Sequence, residues 1–234
     1  MNSTWFSRTK AVFLKEARAE WRTRHGLFVG GLFVLLATVA MGFAAQFDQP
    51  SPDLAAGMLA VTILFCGATV VPRIFLAEED QGTLDLLRLY AEPSAAFVGK
   101  LAYATLQMLI ASTVATVLFS EMVQLNAWNL SFLYGGALLF GAALAGGLSF
   151  TSSLVAGAVN RWTLASAIGI PLLLPIIVLA VISLRHGFGV GRYLESLQSL
   201  IGLGGMTLCC LALGPALAPW VWGLSPGSKG GREP

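Results

Sequence analysis

From Gly26 to Gln46 the chain carries no Asp, Glu, Lys or Arg, and five further runs of similar length are almost as free of charge. A bilayer's hydrocarbon core is crossed by about 20 apolar residues in a helix, which satisfies its own backbone groups. The runs lie at about 27–46, 54–75, 97–120, 130–157, 162–184 and 198–222. Six spans account for most of the 234 residues and leave no room for a sizeable soluble domain. The composition agrees: 11% of residues are charged, against roughly 25% in soluble domains. The expected fold class is an all-α integral membrane protein.

The few charges then read as topology. An even number of spans puts both termini on one side, and Lys and Arg collect in short cytoplasmic loops. On the terminal side fall Arg8, Lys10, Lys15, Arg18, Arg22, Arg24, Arg73, Arg88, Lys100, Arg161, Lys229 and Arg232, whereas Arg185 and Arg192 fall on the other. Both termini are therefore expected in the cytoplasm. A net charge of +2 gives no reason to expect nucleic-acid binding.

Residues 1–26 form the first unit. Trp5, Phe6, Val12, Phe13, Ala17 and Trp21 alternate with basic residues at helical spacing, the pattern of an amphipathic helix lying in the membrane interface. No cleavable signal pattern is recognised there, so the first span is expected to be retained. Residues 27–222 form the membrane domain, and the Gly-, Pro- and Ser-rich 223–234 a flexible cytoplasmic tail. In the fourth run Ala137, Gly141 and Ala145 make a row of small residues for helix packing, with a second row at Ala142 and Gly146. In the fifth run Pro171 and Pro175 each remove a backbone donor and are expected to kink or break the helix, a candidate hinge.

Catalytic chemistry has little material. There is no Walker A pattern, no HExxH and no GxSxG, so neither ATP binding by this chain nor an enzyme is expected. Cys66, Cys209 and Cys210 lie within apolar runs and read as packing residues. No metal site is expected. Lys100 is expected to snorkel from the start of the third span, and no ionisable residue is placed deep in a run. His186, on the outer side, could ligate haem iron, though a solvated loop histidine is the simpler reading.

One stretch concentrates charge: "RIFLAEEDQGTLDLLRLY", residues 73–90, holds four of the twelve acidic residues. Thr83 can cap a short helix with Asp85 in its first turn, and Pro93 closes it. Leu84, Leu87 and Ala91 form one apolar row and Leu86, Leu89 and Tyr90 another, so one row can face the membrane domain while the other awaits a partner.

Together with its flank "AEPSAAFVGKL", this stretch resembles the segment between the second and third spans of ABC-2-type permeases, in its acidic-x-x-Gly-Thr-Leu-acidic-x-Leu run. It is more closely similar to the CcmB family, the permease-like subunits of haem exporters in cytochrome c maturation. "FLKEARAEWRTR", "FGAALAGGLSFTSSLVAGAVNR" and "IPLLLPIIVLAV" fall in matching order. The family's Pro-x-Pro is reduced here to "AEPSA", and "NRWTLAS" stands in place of its basic-Gly-Gly pattern.

The resemblance implies a six-helix permease subunit in the cell inner membrane, with an interfacial N-terminal helix and a short cytoplasmic coupling helix within 76–94. It implies pairing with a second copy and with a separate CcmA-like ATPase subunit that binds ATP and Mg. CcmC- and CcmD-like subunits are further implied partners, and the complex handles haem or releases the haem chaperone CcmE. No cofactor is expected on this chain. On that reading the ATPase is met by Glu78, Glu79, Asp80, Gly82, Thr83, Leu84, Asp85, Leu86, Leu87, Leu89 and Tyr90. The acidic residues would pair with basic ones across the interface, and Leu86, Leu89 and Tyr90 would fill an apolar cleft. An ABC-2 exporter of a lipid, polymer or drug, or a membrane scaffold without transport, are the alternatives that the residues leave open.

Overall fold

The structure is a computed structural model and describes residues 3–80, 82, 92–124, 128–155 and 161–223. Among these there are seven helices and no strand: α1 (Ser3–Thr23), α2 (His25–Ala45), α3 (Pro52–Asp80), α4 (Pro93–Val123), α5 (Leu130–Val155), α6 (Arg161–Gly187) and α7 (Tyr193–Gly223). The last six are each long and apolar enough to cross a membrane. The chain is a multi-pass membrane protein.

Helix α5 is the centre of the bundle and packs against α3, α4, α6 and α7. Small residues let it do so. A Cβ on Gly141 would run into Ser112 Oγ and lie 3.1 Å from the Met108 carbonyl oxygen of α4, whereas one on Gly146 would lie 2.9 Å from Cys210 Cβ of α7. Gly136 and Gly147 make the same approach to Ser183 and Ile176 of α6. Ala137 and Ala145 are fully buried on the row that holds Gly141. In lipid, where apolar side chains gain nothing by leaving one solvent for another, such close backbone approach is what drives helix association.

Pro171 and Pro175 lie inside α6, which continues helical across both, so of the expected kink or break it is the break that does not occur. A proline in a membrane helix is tolerated when neighbours compensate the freed backbone groups. Both lie on the stretch of α6 whose neighbours, Ile170 and Leu174, are exposed.

The two ends of the bundle differ. At one end α1 lies across the starts of α2 and α4 and the end of α3. At the other, Asp53 of α3 pairs with Arg185 of α6, and His186 meets Phe132 and Tyr193 edge-on with ring centroids 4.6 and 6.0 Å away.

Candidate functional site: the charged base of the bundle

Helix α1 is held against α4 along one stripe, Trp5, Thr9, Val12, Phe13 and Glu16, which recur every three or four residues and so share a face. Gly99 permits the approach: a Cβ there would lie 2.8 Å from both the Thr9 carbonyl oxygen and Val12 Cβ. Trp5 Nε1 donates to Ser94 Oγ at 3.2 Å, and Phe13 packs edge-on against Tyr103 with centroids 6.0 Å apart. The rest of α1 divides into an apolar flank, with Phe6 and Trp21 well exposed, and a basic one carrying Arg18 and Arg22. That three-sided pattern suits a helix at a membrane surface.

Where α1, α3 and α4 meet, a lysine lies inside. Lys100 is 1% exposed. Its ammonium lies 2.9 Å from Glu16 Oε1, 2.5 Å from Glu78 Oε2 and 2.6 Å from the Ile74 carbonyl oxygen, with the Phe75 ring centroid at 5.7 Å. It donates hydrogen bonds to Glu16 and to the Ile74 carbonyl, and Glu78 Oε2 stands beside it as an ion-pair contact. Glu78, 5% exposed, also pairs with Lys15, and Lys15 in turn reaches Glu16 at 3.3 Å. Two carboxylates and two ammonium groups thus form a neutral cluster that joins three helices. Removing one partner of such a buried cluster strands the other at a cost of roughly 3–5 kcal/mol.

Lys15 is the half-exposed member. Burial alone would lower its pKa, but the hydrogen bond to Glu78 and the charges of Glu16 and Glu78 outweigh that and leave it raised above 10.5. One turn further on, Glu20 Oε1 accepts the Leu27 backbone N–H at 2.8 Å, placing a negative charge at the positive end of α2. Arg24, at φ +52°, makes the single-residue turn between α1 and α2.

This arrangement corrects two expectations. Glu78 is enclosed within the bundle and not presented to a partner, and Lys100 does not snorkel outward. The reason is that α3 continues helical to Asp80, beyond the hydropathic run that ends near residue 75, and so carries Glu78 onto its inner face. Val71, Ile74, Phe75 and Glu78 are all buried at i, i+3, i+4 and i+7. Lys100 occupies the equivalent place among Ala96, Phe97 and Ala104, as Glu16 does after Val12. A charge falling on an apolar stripe in each of three helices was the available signal. Hydropathy averaged over a window does not register it.

The remaining residues expected at an interface fall as follows. Glu79 and Asp80 close α3 in its backbone, and Gly82 is exposed at φ +67°. Thr83, Leu84, Asp85, Leu86, Leu87, Leu89 and Tyr90 lie outside the described residues. Glu92, immediately before α4, is bound by Arg8 at 2.8 Å. Helix α1 therefore holds the chain on both sides of residues 81–91, through Lys15–Glu78 before them and Arg8–Glu92 after them. Ala137, Gly141, Ala145, Pro171 and Pro175 lie in α5 and α6, away from this base. His186 is at the opposite end, half-buried, its Nδ1 enclosed and without a hydrogen-bond partner.

Among the described residues no group of three or more His, Cys, Asp or Glu is arranged to hold a metal ion. The base is an electrostatic joint.

A family model described as CcmB protein matches residues 7–220. Heme exporter protein B of Bradyrhizobium diazoefficiens is 32% identical over 152 residues, covering 58% of this chain and 66% of that relative, just under two thirds of its length. The family match begins within α1, takes in Glu16, Glu78 and Lys100, and ends within α7. The chain belongs to the CcmB family.

Proposed function

We propose that this chain is the membrane subunit of an ABC transporter complex that serves haem export and cytochrome c maturation. A separate ATPase subunit, CcmA-like, binds ATP and Mg and engages residues 79–91. Both termini, α1 and that segment face the cytoplasm, and the protein resides in the cell inner membrane. A second copy of the chain and CcmC- and CcmD-like subunits complete the assembly. Haem, or release of its chaperone, is the cargo end of the cycle. This chain performs no bond chemistry.

The observation that carries the reading is the double hold on residues 81–91. A solvated loop needs no anchor at each end. A lever does, because a force applied between two anchored points is passed to the helices that carry them. Glu78 continues into α3 and Glu92 into α4, while both are bound to α1. Nucleotide binding by the ATPase would favour one arrangement of two ATPase subunits, and the segment would bias the spans toward the matching arrangement.

Deleting the gene in its own host tests the function. Covalent haem attachment to c-type cytochromes, read by haem-stained gels of membranes, should be lost and should return on complementation. Unchanged attachment in the deletion strain would place the chain in an exporter of other cargo.

A further inference from the structure

Resting on that reading, we infer that Lys100 is a positioning residue that makes the end of α3, the interfacial helix α1 and the start of α4 move as one body. A push on residues 81–91 then reaches three helices together.

The argument begins with what Lys100 lacks. At 1% exposure it has no water to replace a lost partner, and the oxygens around it come from two other helices: Glu16 on α1 and the Ile74 carbonyl on α3 accept its hydrogen bonds, and Glu78 on α3 pairs with its charge. A slide of α3 relative to α1 or α4 by the width of one hydrogen bond would leave a buried ammonium or carboxylate unpaired. Such an arrangement resists partial displacement, because buried charges are tolerated only when fully paired.

Hydrophobic contact alone tolerates sliding. The neighbouring contacts are looser: Phe75–Phe97 and Phe13–Tyr103 are ring contacts at 5.6 and 6.0 Å, Trp5–Ser94 is a single part-buried hydrogen bond, and Arg8–Glu92 is an exposed ion pair. Through Glu20 and the Leu27 N–H the body extends to α2. The output of the segment is thus delivered to α2, α3 and α4 at once.

The test separates positioning from folding by using the asymmetry of buried pairs. In Lys100→Met, Glu16 and Glu78 share only Lys15, and thermal stability of the purified complex should fall. In the double variant Glu16→Gln with Lys100→Met, one positive and one negative charge leave together, and stability should return to near that of the wild type. The buried ionic link from Lys100 of α4 to α1 and α3 stays cut, while Trp5–Ser94 and Arg8–Glu92 still tie α1 to the start of α4. With the intact complex in native membranes, the double variant should retain the ATPase and its hydrolysis rate within about twofold while haem attachment to cytochrome c falls at least tenfold. Recovery of haem attachment along with stability would overturn the inference, since the cluster would then be structural only.

A second measurement needs no loss of function. Spin labels at Ala68 of α3 and Ala102 of α4, both exposed, are introduced as cysteines after Cys66→Ala, Cys209→Ala and Cys210→Ala. Their distance should stay fixed when ATP is trapped with vanadate in the otherwise wild-type complex, and should change in the double variant. A nucleotide-dependent change with Lys100 in place would overturn the one-body claim. Failure of the wild-type chain to hold any ATPase would instead overturn the underlying reading, and the inference with it.

Discussion

Inside the bundle a lysine persists only where oxygens replace its water, and Lys100 meets three of them. Its partner Glu78 is shared with Lys15, which reaches in from the half-exposed side of α1. The raised pKa of Lys15 has a thermodynamic consequence. Because the folded state binds its proton more tightly than the unfolded chain, the stabilisation is fully present below about pH 10.5 and is lost as pH rises through the folded value. In detergent, wild-type protein should therefore melt above Lys15→Met at pH 8, and the two melting temperatures should converge as pH is raised past 10.5. A gap that widens with pH would mean that Lys15 is held neutral in the folded protein.

At the scale of elements, the small residues of α5 and the pairing of α1 carry different kinds of information. Rows such as Ala137, Gly141 and Ala145 were legible because a four-residue repeat needs no knowledge of the partner helix. The six spans were equally legible, since each run is long enough to cross by itself. Helix ends were not: α3 gains residues 76–80 and α4 begins at Pro93, where Glu78 and Glu92 are met by other helices. Hydropathy treats Glu78 and Lys100 as flank charges, and only the pairing of α3 with α4 and α1 turns them inward. Gly141→Leu, whose added side chain would strike Ser112 and the backbone of α4, should lower the yield of folded protein severalfold by fluorescence-detected size exclusion. Wild-type yield and assembly would show that α4 and α5 can part without loss.

For the whole molecule, the central claim is that an ATPase works on this bundle through the segment that α1 holds at both ends. Leu86, Leu89 and Tyr90, an apolar row by their spacing in the sequence, are proposed to enter the ATPase, and charge placed in an apolar cleft without a partner costs several kcal/mol, roughly a thousandfold or more in affinity. The decisive measurement is co-purification of the ATPase with Leu86→Asp/Leu89→Asp, alongside a check that the variant inserts and that the Arg8–Glu92 and Lys15–Glu78 anchors are unaltered in sequence. The account predicts normal insertion with the ATPase lost from the eluate; ATPase retained at the wild-type ratio would contradict it.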